Sequence, residues 1–440
     1  MAEQNEKVVI SGVGIITCFG VGIEQLWDAM LEGRTGIHRI ERFDPSGFDS
    51  QAAGELAEEA FTVRKTVPKS HRKATKVMCR DTELAIGAAA DAVENAGLTT
   101  SATSDDPPTI APHRVGCHIG AGLISAEVNE LAAALVTSKK EDGSFDLAHW
   151  GGEGMQNLTP LWLLKYLPNM LACHVTIVHN CQGPSNAITC CEASSGLSIA
   201  ESRRVIQRGD ADMCLSGGAE DRVNPLALYR QHCTNRLATS DGSGDMKSLV
   251  KPFSADATGT VVGEGGGIMI VESKSSCDAR NGTPWCTIDG IGCRQTISDS
   301  PLDADPRTIE SAVSRALEEA NCQTGDIDVI VPLGSGIKQV DTAEFEGLTA
   351  IFGEALSTIP TITTIPYTGN CMAGNGAIEI GVAAKAIREQ KIPARLGDQC
   401  TNGIDAAVCE PKAMEINKVL VVTPSEGGQC VAIILGRVNQ

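Results

Sequence analysis

Histidine is missing from the second half of this chain. All eight lie at or before His232, and none occurs from Cys233 to Gln440. Any mechanism that needs an imidazole base from that half is excluded. Positive charge is short as well: 36 Lys and Arg against 55 Asp and Glu give a net charge of −19. Nucleic acids and anionic membranes need basic surface, so neither is expected as a partner. Aromatic residues are only 3% of the chain. Glycine and alanine carry much of the packing instead, which predicts helices set tightly on sheets. With 42% hydrophobic and 21% charged residues the profile is globular, not disordered. No apolar run reaches transmembrane length. The opening "MAEQNEKVVISGVGIITCFG" lacks the charged start and cleavage site of a secretory signal. A cytoplasmic protein is expected.

Cysteine, by contrast, is plentiful: 17, an odd number, scattered over 440 residues. Free thiols in a reducing compartment are predicted, not disulfides. "CHVTIVHNC" (173–181), with Cys190 and Cys191, groups Cys and His. Its spacing matches no zinc motif, so these residues are predicted as buried strand and loop thiols. No metal and no cofactor is expected.

Strands alternate with helices. "KVVISGVGII" (7–16) and "ADMCLSGGAED" (211–221) read as strands. "IEQLWDAMLEG" (23–33) and "TELAIGAAADAVENAG" (82–97) read as helices that stop at glycine. Residues 101–109 and 138–153 read as irregular loops. There is also an internal echo. "VISGVG" (9–14) matches "TIDGIG" (287–292), and "GEGGGIMIVE" (263–272) matches "SEGGQCVAIIL" (425–435). Their order predicts a duplicated α/β fold with halves 1–275 and 276–440, joined by a polar linker near 273–285.

"AITCCEASSG" (187–196) joins a predicted strand to a predicted helix. A helix N-terminus offers free N–H groups and a positive dipole end, which favours a thiolate or a carboxylate alike. Leu197 and Ala200 are predicted inward on that helix, and Glu201, Arg203, Arg204 and Arg208 outward.

Across nearly the whole chain the motifs resemble the β-ketoacyl-acyl carrier protein synthase (ketosynthase) family, of the elongating type. They include "VVISGVGIITCFG" with "LWDAMLEGRTGI", "GPSNAITCCEASSG", "GDADMCLSGGAE" and "KPFSADATGTVVGEGGGIMIVES". "DTAEFEGLTAIFG" and "TGNCMAGNGAIE" follow. The resemblance implies a thiolase fold, five-layered α/β/α/β/α with two duplicated halves. It also implies a Cys-His-His triad, in which the Cys carries the acyl chain and the two His assist malonyl decarboxylation.

Counting from neighbouring motifs puts Glu192 at the Cys position, Leu333 at the first His and Asn370 at the second. Asp341, Glu344 and Glu379 are retained near the site, and the family's Lys is replaced by Ile365. The family's oxyanion hole uses two backbone N–H groups. Aligning on Gly427 and Gly428 puts Pro424, which has no N–H, at one of them, and a carboxylate at Glu192 beside the other. No catalytic residue of the triad is intact. Cys190 or Cys191 as a shifted nucleophile would need a base; His174 and His179 are nearest in sequence.

These departures resemble a chain length factor, the non-condensing subunit that pairs with an active ketosynthase as a heterodimer. That group usually carries Gln at the nucleophile position, where this chain has Glu. The alternatives are a malonyl-acyl carrier protein decarboxylase or another ketosynthase-fold enzyme with altered chemistry. A homodimer is the other assembly the resemblance allows. Acyl carrier proteins are acidic, so a −19 chain is expected to meet them through its partner, unless "RKATK" (72–76) or "ESRRVIQR" (201–208) forms a basic patch.

Overall fold

The computed structural model describes residues 6–297, 300, 302–396, 404 and 410–438. The main elements of the first half are β1 (Val8–Thr17), α1 (Ile23–Leu31), α2 (Arg80–Asn95), β2 (Val115–Gly120), α3 (Met170–His179), β3 (Ser185–Ile188), α4 (Ser194–Gln207), β4 (Met213–Asp221) and β5 (Val262–Ser273). Those of the second are β6 (Cys286–Gln295), α5 (Pro306–Ala320), β7 (Val329–Pro332), α6 (Lys338–Phe352), α7 (Asn375–Glu389), β8 (Lys418–Pro424) and β9 (Gln429–Gly436).

β1 is buried at every position, so it needs cover on both faces. Its glycines let α2 approach: a Cβ on Gly12 or Gly14 would lie 2.6 or 2.0 Å from the carbonyl oxygens of Ala92 or Ala88. Asn95 then accepts the Val13 N–H at 3.0 Å. The second half repeats the device. A Cβ on Gly290 or Gly292 of β6 would lie 2.2 or 1.8 Å from the carbonyl oxygens of Ala316 or Ala312, and Glu319 accepts the Ile291 N–H at 3.0 Å. The echo between residues 9–14 and 287–292 is thus one packing solution used twice.

The strands lie in the order β7-β8-β9-β6-β1-β5-β4-β2-β3. Outward from the centre, β6, β9, β8 and β7 mirror β1, β5, β4 and β2, and β3 is an extra edge strand. The two arms meet only where Val9 and Ile10 pair with Thr287 and Cys286. Alternate side chains face different layers. Met269 and Val271 of β5, with Val431, Ile433 and Leu435 of β9, pack on α4 and α7 in a middle core. Ile268 and Ile270 turn the other way, to α2 and α3. Ala432 and Ile434 join α5 and α6. Helix, sheet, helix, sheet and helix make the expected five layers.

Three expectations change. "CHVTIVHNC" lies mainly on helix α3, not on a strand; a short apolar run does not distinguish the two by pattern alone. The 273–285 segment contains a helix, Lys274–Ala279. Arg203 is buried, with Nη1 2.6 Å from Glu319 Oε1, because its side of α4 packs on the second half, whereas Arg204 is exposed. All 15 described cysteines are free. No helix among the described residues is long and apolar enough to cross a membrane.

Candidate active site at the Glu192 turn

Between β3 and α4 the chain makes a tight turn. Cys191 has a left-handed φ of 46°, uncommon for a residue with a side chain. The Cys190 N–H donates to Ser194 Oγ at 2.8 Å, and the Ser194 hydroxyl donates to the Cys191 carbonyl at 2.6 Å. This clamp aims Glu192 inward, where it is 1% exposed. The turn before α7 has the same form: Met372 has φ 44°, and the Cys371 N–H donates to Asn375 Oδ1 at 2.8 Å. By this register Glu192 corresponds to Ala373, and the two turns pack together across the middle layer.

Glu192 Oε2 accepts the N–H of Glu426 at 3.2 Å. Pro424 instead ends β8, opposite Cys430 of β9. The proline therefore removes no donor facing Glu192, and the N–H expected to be missing is supplied two residues further on. The structure sets the Glu426 N–H, not residue 424, against Glu192, in a loop that turns through left-handed Gly427 and Gly428.

Charged side chains extend from this point. The Glu426 carboxylate meets Arg236 Nε at 3.3 Å and Cys191 Sγ at 4.0 Å. Arg222 Nε lies 2.5 Å from Glu220 Oε1, and Glu220 Oε2 accepts the Ala373 N–H at 3.0 Å. Sequence reasoning missed Glu220, Arg222, Arg236 and Glu426. The repeated Glu-Gly-Gly echo was the only signal pointing to Glu426. A cavity of about 410 Å³ reaches the turn, lined by Leu123, Pro168, Thr189, Cys191, Arg222 and Glu426 among others.

Leu333 begins a loop fixed by two acids. Glu344 accepts the N–H groups of Leu333 and Gly334 at 2.9 and 3.0 Å. Asp341 accepts those of Ser335, Gly336 and Phe253 at 2.8, 3.1 and 2.8 Å. Gly334 and Gly336 have φ of 53° and 77°, conformations in which a Cβ is strained. Leu333 itself is buried and has no group that transfers a proton. Asn370 Oδ1 accepts the Met372 N–H at 2.8 Å and Asn375 Nδ2 at 2.7 Å, so its amide oxygen holds the second turn. Ile365 is fully buried. Glu379 accepts the Thr423 hydroxyl at 2.6 Å. Burial, with Glu344 and Glu192 adding to it, holds Glu379 well above the usual carboxylate range. Burial likewise raises Asp341 to about 6 and Glu344 to about 8.

The neighbouring thiols are poor nucleophiles. Burial raises Cys191, and the charges of Glu192, Glu426 and Glu220 add to it; burial also raises Cys190. His174 and His179 lie on α3, which packs in the outer core of the first half. His179 Nδ1 is 3.0 Å from Thr100 Oγ1, and burial lowers its pKa to about 4. Neither ring is bonded to Cys190 or Cys191. Among the described residues no three His, Cys, Asp or Glu side chains converge to hold a metal ion.

Glu426 makes this site pH-sensitive. Burial first, and the Glu192 charge second, raise its pKa from 4.5 to about 7. The folded state therefore holds this proton more tightly than the unfolded chain does. The stabilising contribution is full below about 4.5 and is lost as pH rises through about 7. The melting temperature is expected to fall by a few degrees between about pH 6 and about pH 8. In Glu426→Gln that fall should be visibly shallower in thermal scans; an unchanged slope would show that other groups set it.

A duplicated five-layer fold, with a buried carboxylate at the head of its central helix, defines a thiolase-type scaffold. The chain belongs to the beta-ketoacyl synthase family: residues 5–276 match the model of its N-terminal domain and residues 285–398 that of its C-terminal domain. It is 29% identical over 394 residues to 3-oxoacyl-[acyl-carrier-protein] synthase 2 of Staphylococcus aureus, covering 89% of this chain and 87% of that one. It is 26% identical over 440 residues to the actinorhodin polyketide putative beta-ketoacyl synthase 2 of Streptomyces coelicolor, covering 98% of each. The solved ishigamide ketosynthase/chain length factor shares the fold, with a TM-score of 0.82 at 23% identity, over 99% of this chain and 100% of that one.

Proposed function

We propose that this chain is a ketosynthase-type subunit without condensing activity of its own, akin to a chain length factor. It pairs with an active ketosynthase in acyl-chain elongation of the fatty acid or polyketide type. One observation carries the reading: at the nucleophile's seat a buried carboxylate, Glu192, itself takes the Glu426 N–H that would otherwise receive an acyl oxyanion. Leu333 and Asn370, at the seats of the two imidazoles, supply no proton-transfer group.

Two surfaces support the pairing. β3 ends the sheet with Ser185 and Asn186 exposed, and an unpaired edge is a template for another chain. The segment after β2 adds Leu123, Val136, Leu147 and Leu161, each 68% to 79% exposed. Apolar groups left open in this way mark an interface. On this reading the occupant is an active ketosynthase, and a second copy of this chain is the competing outcome. Co-expression with an active ketosynthase should give a co-purifying heterodimer. It should also give product of defined length that is lost when this chain is left out. A stable homodimer that co-purifies with no ketosynthase would overturn the pairing.

A basic patch extends the expected docking of an acyl carrier protein to this chain itself. Arg64, Lys65, Lys69, Arg72, Lys73 and Lys76 are all exposed, and none forms an ion pair among the described residues. No acid occurs between Phe61 and Arg80. "ESRRVIQR" does not form such a patch by itself, since Arg203 points inward and Arg208 pairs with Glu201 at 3.4 Å, which leaves Arg204 alone exposed and without an ion pair among the described residues. Changing Lys69, Arg72 and Lys73 together to Glu should weaken carrier-protein binding about tenfold or more at low salt. Unchanged affinity in a titration would return the docking to the partner alone.

One observation favours a second reading, malonyl-thioester decarboxylation: the Glu426 N–H is present at the turn, and it would hold an enolate oxygen once the Glu192 carboxylate turns away from it. Carbon dioxide released from malonyl carrier protein, and lost in Glu192→Ala, would support it.

A further inference from the structure

Far from Glu192, α4 ends in a cluster of positive charge. Arg203 lies roughly 16 Å of helix rise beyond the Glu192 turn. Its guanidinium reaches Glu319 Oε1 at 2.6 Å and the Asp289 carbonyl at 3.3 Å, while its buried Nε has no hydrogen-bond partner. Two cavities meet at this Arg203–Glu319 pair. The smaller, of about 140 Å³, is walled by Arg203, Arg204, Arg294 and Arg315, with Glu319 as its one acid. The larger, of about 570 Å³, is bordered by Lys7, Lys274, Lys418 and Arg437, with Glu6, Asp289 and Glu319 as its acids.

Most acids nearby are already engaged. Glu319 is held by Arg203, Glu318 by Arg315 at 2.7 Å, Glu201 by Arg208, and Asp289 by Lys418 at 2.8 Å. Arg204 and Arg294 form no ion pair among the described residues. Among the described residues Arg294 donates only to Ser311 Oγ and to the Cys293 carbonyl, each at 2.9 Å. In a chain of net charge −19 this is a local excess of cations around a concave site, which concentrates anions.

We propose that this double cavity binds a small molecule carrying two separated phosphoryl groups. One group lies in the arginine-walled cavity, the other among Lys7, Lys418 and Arg437. Guanidinium forks match the geometry of phosphate oxygens, and the smaller cavity admits a phosphoryl group but no long acyl chain. The larger one has room for a nucleoside-sized body between the two charges. The site is independent of the Glu192 turn and of the chemistry proposed there.

The test is calorimetric titration of the whole chain at low salt with two probes. One is pyrophosphate; the other is an adenosine bisphosphate with its phosphates on opposite ribose positions. The bisphosphate should bind the more tightly, and its affinity should fall as salt rises. Arg204→Ala with Arg294→Ala removes two exposed side chains and should leave the melting temperature unchanged. Binding should weaken at least about tenfold in that variant. If neither probe binds at millimolar concentration, or if the double variant binds both as the parent does, the proposal is overturned. Pyrophosphate binding the more tightly would overturn the spacing of the two phosphoryl groups.

Discussion

Replacing Glu264 by leucine is expected to destabilise the chain by about 3–5 kcal/mol. Glu264 begins the first Glu-Gly-Gly triplet, which lies within β5, and its side chain is fully buried. Oε2 lies 2.7 Å from Arg80 Nε, Oε1 meets Arg42 Nη2, and Oε1 also accepts the Leu56 N–H at 2.8 Å. Arg42 keeps Asp221 at 3.1 Å and Glu55 at 3.7 Å, but Arg80 retains only Glu83 at 3.5 Å. Removing the carboxylate strands charge and an N–H in a site with little water. That costs more than the net value of the pair. Denaturant unfolding of the purified variant measures it, and a loss below about 1 kcal/mol would mean that Asp221 and Glu55 take over both arginines. The contrast with Glu426 is instructive. The matching Glu-Gly-Gly triplet of the second half is a turn before β9 and places its glutamate beside another carboxylate, so neutralising Glu426 should relieve repulsion where neutralising Glu264 removes attraction.

The duplication was legible because it is written in local chemistry. Gly12 and Gly14 must be glycine for α2 to touch β1, and Gly290 and Gly292 for α5 to touch β6, so the echo survives as sequence. The Glu192 turn was legible for a similar reason, since a strand, small residues and a helix follow one another within ten positions. The partner of Glu192 was not legible. Glu426 stands 234 residues away, in a loop whose two left-handed glycines set its path back to the Glu192 turn. Arg203 was misplaced for another reason. Most of α4 is covered on both sides, so a charged residue on a covered face needs a buried partner, here Glu319, while Arg204 on the open side does not. Patterns along the chain report which residues share an element; they do not report which elements close over one another.

The largest functional effect is expected to be the one that fails to appear. Glu192→Cys should leave condensation at least about 10⁴-fold below that of an active ketosynthase. The new thiol would occupy the turn before α4, where the helix dipole lowers a thiol pKa. Burial and the carboxylates of Glu426 and Glu220 oppose that, as they do for Cys191. Even a thiolate would lack the groups that turn malonyl carbon into a nucleophile. Proton transfer by a placed imidazole is worth about 10²–10⁴-fold and charge stabilisation about 10²–10³-fold, and on the proposed reading Leu333 and Asn370 supply neither. Leu333 is a core residue whose N–H is held by Glu344. Asn370 uses its amide oxygen to hold the Met372 N–H and Asn375 Nδ2, so a histidine there would release the turn that packs against Glu192. Alkylation by iodoacetamide separates the two possibilities. A variant whose new Cys is labelled while no condensation product forms locates the defect in the missing bases. Product formed at a rate near that of an active ketosynthase would mean that another group performs their role, and that Leu333 and Asn370 do not mark a lost activity.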